Sequence, residues 1–198
     1  MSTFLGPIHY RMYERIITLD EITAEFIAAA KENWPELSLD SYLTEEHPPL
    51  ENIITDGDIH GSISRLIDIA ETNFAAVVTK ITAGHPERLD VLKEVIYKFG
   101  QSKKAAGESA NEIYAAIDAK LLNGMPCDGA VMVRDDSEDD FTFSQELDTH
   151  SIYWNKVGGT SSQYFTLRSE FVRGLLEGTN YAVENYGNGL YSLKKIKL

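Results

Sequence analysis

The sequence contains a single cysteine, Cys127, among 198 residues, so no disulfide can form within the chain. No run approaches the roughly 20 apolar residues that span a bilayer. The first ten residues also lack the basic and apolar segments of a secretory signal. We therefore expect a cytoplasmic protein that does not insert into a membrane.

Positive charge is scarce as well. The chain has 18 basic and 31 acidic residues, which gives a formal net charge of −13. A protein with this charge repels phosphate backbones and anionic lipid headgroups. We expect neither nucleic acid nor a membrane surface as a partner.

The strongest catalytic signatures are absent. The sequence has no GxxxxGK[ST], no GxGxxG after a strand, no HExxH, no CxxC and no GxSxG. These absences argue against the common nucleotide-driven enzymes but leave other catalysis open. The sequence assigns no cofactor.

Apolar residues at helical spacing dominate the first two thirds of the chain. Five helices are predicted there, beginning near residues 7, 20, 58, 86 and 109. Asp20 is taken as the cap of the second helix, which ends before Pro35. The longest helix is expected over 58–83, with Gly84 as its left-handed end. The fifth helix is expected to end at Asn123.

The pattern changes after residue 127. Ala130–Val133 and Phe141–Ser144 are short β-like runs, and the acidic segment 135–140 between them is typical of a solvated hairpin tip. A helix near 162–177 is expected next. It is followed by strands over 181–185 and 190–196, joined around a Gly-Asn-Gly turn.

These elements predict a single α+β domain over residues 1–198. The helical part covers about 1–123, and the sheet part, ordered ββαββ, covers about 127–198. We expect a four-stranded, mainly antiparallel sheet with the helices packed on one face.

Cys127 and Asp128 lie where the last predicted helix gives way to the sheet, directly after Pro126. A cysteine in such a turn could be a nucleophile, although a nearby carboxylate raises the thiol pKa and disfavours the thiolate. The alternative is that Cys127 is a small buried apolar residue.

His150 follows the second predicted strand, with Asp148 before it and Tyr153 and Trp154 after it. Loops at strand ends commonly carry function, so His150 could be a general base in a pocket walled by the two aromatic residues. The alternative is that His150 caps a turn and the aromatic residues belong to the core.

His60 lies in the first turn of the predicted long helix, after Asp56 and Asp58. Gly61 beside it leaves room for a ligand to approach. The alternative is that the two acids only cap the helix.

Four dispersed residues would suit a transition metal if the fold brought them together: His9, His60, Cys127 and His150. No two of them share a short ligand motif, so no metal site is assigned.

The region from Ile113 onward, with Met125-Pro126-Cys127-Asp128 and the strands that follow, resembles the L-2-amino-thiazoline-4-carboxylate hydrolase-like family. The resemblance implies hydrolysis of a small thiazoline, with Cys127 as nucleophile and Asp128 or His150 assisting. That family's second cysteine has no counterpart in this chain.

We therefore expect a small-molecule-binding protein with its site at the helix–sheet junction, and a hydrolase-like enzyme is one form of this hypothesis. The candidate catalytic residues are Cys127, His150 and Asp128, and the candidate ligand-binding residues are His60, Asp148, Tyr153 and Trp154. The alternatives are a non-catalytic binding or assembly protein, which could form a homo-oligomer, and a metal-binding module.

Overall fold

The structure, a computed structural model, describes residues 4–54 and 57–196. Its α-helices are α1 (Pro7–Asn33), α2 (Leu50–Ile53), α3 (Ile59–Thr82), α4 (Arg88–Ser102), α5 (Ala110–Asp118), α6 (Ser151–Lys156) and α7 (Ser161–Leu175). Its strands are β1 (Val131–Asp136), β2 (Asp140–Gln145), β3 (Tyr181–Gly187) and β4 (Leu190–Lys195). Short 3₁₀ turns cover Asp40–Tyr42 and Pro126–Asp128.

The N-terminal helix α1 is continuous, so the prediction of two helices divided at Asp20 is wrong. Leu19 and Ile22 on either side are buried, and they continue the apolar face through Asp20. An aspartate inside a helix costs less than about 0.7 kcal/mol, whereas each buried aliphatic side chain stabilises the fold by about 1.5–3 kcal/mol. With 27 residues, α1 is also longer than α3, which has 24 and was expected to be the longest.

The predicted bounds of α3 are confirmed. Asp58 Oδ1 accepts a hydrogen bond of 3.0 Å from the backbone N–H of Gly61 at its start. Gly84 follows its end with φ of +70°, a left-handed conformation that glycine adopts without strain. The acidic residue Glu71 lies on the buried face of this helix.

Helices α4 and α7 approach each other through two glycines. A Cβ placed on Gly100 would lie 2.5 Å from the carbonyl oxygen of Phe171, and one placed on Gly174 would overlap the carbonyl oxygen of Tyr97. Real Cβ atoms do not come this close to a backbone, so the two helices can pack in this way only with glycine at both positions.

The four strands form one sheet in the order β1-β2-β4-β3, and all neighbouring strands are antiparallel. The turn predicted between the last two strands is confirmed, since Gly187, Asn188 and Gly189 all have positive φ. The hairpin tip is shorter than predicted, because β1 runs to Asp136 and β2 begins at Asp140. The edge position of β1 leaves these acidic residues in contact with solvent, so they can belong to a strand.

Helix α5 joins the helical part to the sheet. Tyr114 stacks on Phe141 of β2 with ring centroids 4.1 Å apart, and the buried core continues from the helices to Leu193 of β4. The α+β fold is thus confirmed. The helix ends at Asp118, five residues before the predicted end, and an irregular segment then leads to Asn123, which is buried.

Within the described ranges, no helix combines the length and apolar character needed to cross a membrane.

Candidate functional site

His150 lies in the interior of the protein, with none of its surface exposed. Its Nδ1 lies 3.0 Å from Oε1 of Glu71, which is itself 1% exposed. The His150 ring also stacks on Tyr164, with centroids 3.5 Å apart. Buried polar groups are destabilising unless they are partnered, and this pair satisfies that requirement for the imidazole.

Glu71 and Tyr164 complete a buried polar cluster around this histidine. Glu71 uses only one carboxylate oxygen, because Oε2 is buried without a hydrogen-bond partner among the described residues. The Tyr164 hydroxyl donates to the carbonyl oxygen of Leu122 at 3.1 Å. Burial raises the pKa of Tyr164, and the charge of Glu71 raises it further, so this tyrosine remains a neutral phenol.

Cys127 and Asp128 lie on the surface, in the 3₁₀ turn that enters the sheet. Cys127 is exposed, so the alternative of a buried apolar cysteine is wrong. Asp128 Oδ2 accepts a hydrogen bond of 2.7 Å from the backbone N–H of Met125, which closes the turn. A Cβ placed on Gly124 would lie 2.6 Å from that oxygen and 3.0 Å from Cγ2 of Thr149, so the turn packs beside the residue that precedes His150.

The proximity of the turn does not create a common site. The His150 ring faces inward to Glu71, and no hydrogen bond links it to Cys127 among the described residues. A shared hollow open to solvent, as the hydrolase hypothesis requires, would need His150 to be accessible. The structure instead buries it completely.

Asp148 orders the start of α6. Its Oδ1 accepts the backbone N–H groups of His150 and Ser151, each at 2.9 Å, and its Oδ2 accepts the hydroxyl of Ser161 at 2.8 Å. Partial burial raises the pKa of Asp148, but these hydrogen bonds outweigh it, and the net effect is a lowered pKa. The carboxylate therefore holds the loop that places His150.

The two predicted aromatic wall residues differ in position. Tyr153 is half-buried and donates a hydrogen bond of 2.9 Å to Oδ1 of Asp68, and both burial and this bond raise its pKa. Trp154 is fully buried and packs edge-on against Phe74, with centroids 6.0 Å apart. Trp154 is thus part of the core, as the alternative interpretation held.

His60 is exposed on the first turn of α3, and its ring lies 5.8 Å from the ring of His9 in an edge-on arrangement. His9 is 7% exposed, and its Nδ1 accepts a hydrogen bond from the backbone N–H of Gly6. In the part of the chain that the structure describes, no three histidine, cysteine or acidic residues form a metal-binding group. Asp56 lies outside the described residues.

A cavity of about 520 Å³ lies at the helix–sheet junction, between the sheet and helices α5 and α7. Its apolar walls come from α5 and from strands β2, β3 and β4. These wall residues include Tyr114, Ile117, Phe143, Val183, Tyr191 and Leu193. Burial raises the pKa of Tyr114 to about 12, so its hydroxyl stays protonated at neutral pH.

No protein-family model, curated protein or solved structure matches this chain. The resemblance to the thiazoline hydrolase-like family therefore stays a prediction.

Arg168 is the main polar feature of the cavity. It lies on α7, is half-buried, and donates a hydrogen bond of 2.8 Å from Nη1 to Oε1 of Gln145. Its Cζ lies 5.9 Å from the ring centroid of Tyr191. No described carboxylate lies within ion-pair distance of it, so its positive charge is balanced only by a neutral amide and an aromatic face.

Asn123 connects the cavity to the buried histidine. Its Oδ1 lies 3.4 Å from Nε2 of His150, and the residue lines the cavity. Its Nδ2 has no hydrogen-bond partner among the described residues. The Asn123 side chain thus lies between the buried His150–Glu71 pair and the cavity.

Sequence reasoning missed Glu71, Asn123 and Arg168. Glu71 carried a usable signal, since it is an acidic residue within the apolar stripe of a helix, and buried charges are normally paired. Asn123 was interpreted only as a helix end. Arg168 has no local signal, because its surroundings come from strands that are distant in the sequence.

Proposed function

We propose that this protein binds a small amphipathic anion at the helix–sheet junction. The apolar body of the ligand fills the cavity, and a carboxylate-like group lies against Arg168. The observation that carries this proposal is a half-buried guanidinium group, without a carboxylate partner, inside an apolar cavity.

The size and the walls of the cavity support an organic ligand. Its volume of about 520 Å³ falls within the range usual for small-molecule sites. Phe143 and Tyr191 stack with centroids 5.4 Å apart and give the cavity a flat aromatic wall. Aromatic walls favour flat or branched apolar groups, which gain about 25 cal/mol for each Å² removed from water.

The charges around the cavity favour an anion at Arg168. Asp118 and Glu170 are each occupied in an ion pair with another arginine. Glu177 is exposed and accepts a hydrogen bond of 2.8 Å from Tyr97. Among the described charged residues of the lining, Arg168 is half-buried and has no ion-pair partner, and a ligand anion would compensate its charge through paired N–H bonds.

Binding is better supported than hydrolysis. Cys127, Asp128 and His150 are not among the residues that line the cavity. Asn123 lines the cavity, whereas the imidazole of His150 does not. The predicted catalytic set therefore lies around the site without facing into it.

Fluorescence titration with 8-anilinonaphthalene-1-sulfonate tests the proposal, because this probe combines aromatic rings with an anionic sulfonate. The Arg168→Gln variant should bind the probe more weakly by about tenfold or more, as expected for the loss of a charge-assisted bond. The matched control is Arg173→Gln, since Arg173 is exposed at the rim and pairs with Glu170. Equal affinity of Arg168→Gln and the native protein would contradict the proposal.

A second variant tests the apolar part of the site. Val183 faces the cavity from β3 beside Leu193. Val183→Trp should fill part of the volume and weaken the probe while leaving the fold intact by circular dichroism. Unchanged binding by this folded variant would place the probe elsewhere.

Assembly is a second candidate function, because β1 is an edge strand with exposed apolar side chains. Met132 is 48% exposed and Val133 is 52% exposed. Unpaired strand edges of this kind can pair with another chain. Light scattering should then show a dimer that Val133→Lys dissociates, and a monomer at every concentration would exclude this function.

A further inference from the structure

A second, smaller groove adjoins the cavity. It has a volume of about 320 Å³ and lies between α1, α5 and the segment that leads into β1. Tyr114, Asp118 and Asn123 line both spaces and form the wall between them. The groove has two arginines on one wall, Arg11 and Arg15.

Arg11 and Arg15 provide this positive wall. They are one helical turn apart on α1, so their side chains lie on the same face of the helix. Arg11 is exposed and makes no hydrogen bond or ion pair with the described residues. All the N–H groups of its guanidinium can therefore bind a ligand.

The hydrogen-bonding groups of Arg15 are only partly satisfied. It forms an ion pair with Asp118 through Nη2, and its side chain is 15% exposed. Its Nε is buried and has no hydrogen-bond partner among the described residues. A buried N–H group without a partner is unfavourable unless a ligand or water accepts from it.

The residues that line the groove carry a net positive charge, although the protein as a whole is acidic. Among the described residues that line it, Asp118 is the only acidic one, and it neutralises one of the two arginines. One positive charge and one unsatisfied N–H group therefore remain. These are the features that recognise an oxyanion.

We propose that this groove is a second binding site, for the oxyanion of a small molecule. The oxyanion is held by the guanidinium of Arg11, and a small rotation of the Arg15 side chain would bring its unpartnered Nε–H to the same group. A carboxylate and a phosphate group share this chemistry. The site is separate from Arg168, so it does not depend on the function proposed for the cavity.

Isothermal titration with inorganic phosphate, and separately with acetate, tests this site and distinguishes the two sources. Arg11→Gln should weaken binding of the preferred anion about tenfold or more, since it removes a charge-assisted contact. The variant should remain folded, because Arg11 has no structural partner. Arg15→Lys retains a charge beside Asp118 but lacks Nε, and it should also weaken binding.

Arg168→Gln is the control that separates the two sites. Anion binding that is lost in Arg11→Gln and retained in Arg168→Gln would support the groove. Anion binding that is retained in Arg11→Gln and lost in Arg168→Gln would overturn it and would support the cavity instead. If neither phosphate nor acetate binds at millimolar concentration, the proposal is also overturned.

Discussion

Replacing Glu71 with alanine should strongly destabilise the protein. Glu71 and His150 are 2% and 0% exposed in their side chains, and their nearest atoms are 3.0 Å apart. The substitution leaves the imidazole buried without its partner and opens a cavity beside it. Breaking a buried pair by removing one member costs about 3–5 kcal/mol, a large part of the about 5–15 kcal/mol that typically separates folded from unfolded protein.

Urea denaturation followed by circular dichroism measures this loss. Glu94→Ala is the control, because Glu94 forms an exposed pair with Lys98 one turn along α4, and its removal should cause hardly any change. The double variant Glu71→Ala/His150→Ala should lose less free energy of unfolding than the sum of the losses in the two single variants. A loss of less than about 1 kcal/mol in Glu71→Ala would refute the structural role assigned to the pair, since that is the size expected of a typical surface change.

Three further substitutions test other parts of the account. Gly174→Ala should cost about 1–3 kcal/mol through overlap with the carbonyl oxygen of Tyr97, and an unchanged melting temperature would contradict the close approach of α4 and α7. Burial disfavours the ionised carboxylate of Asp20 and raises its pKa despite its bond to His47. The native protein therefore loses stability as the pH rises above the ordinary pKa value of 3.8 and Asp20 ionises. Asp20→Asn should therefore gain stability relative to the native protein over that rise in thermal melts, and a parallel profile would contradict this. Hydrogen bonds lower the pKa of Asp148, so its contribution to stability is present at neutral pH and is lost as the pH falls through its folded-state pKa. Asp148→Ala should lower the free energy of unfolding by about 0.5–2 kcal/mol at neutral pH in urea denaturation, and by less in acid. A loss that stays the same at both pH values would contradict this.

The sequence predicted the elements whose signals are local. Gly84 marked a helix end, and the turn around Asn188 marked a hairpin, because both positions need positive φ. The division of α1 at Asp20 failed for a non-local reason. Asp20 Oδ2 lies 3.0 Å from Nε2 of His47 in the loop after the helix, and a capping interpretation cannot anticipate that pairing.

A pocket was expected at the helix–sheet junction with other polar residues than those found there, and its binding role stays a proposal. The helix–sheet junction was expected to hold the pocket, and the cavity lies there. Its polar lining includes Arg168 and Asn123, whereas His150 is turned inward by a partner 79 residues earlier in the chain. Which residues meet across such separations depends on the packing of the whole fold, and no pattern of neighbouring residues encodes it.

The proposed function requires an anion to bind against Arg168 inside the cavity. A crystal structure of the protein with 8-anilinonaphthalene-1-sulfonate tests it most directly. The sulfonate is expected within hydrogen-bond distance of the Arg168 guanidinium, and the rings are expected beside Phe143 and Tyr191. A probe found elsewhere, with the cavity at Arg168 unfilled, would contradict it.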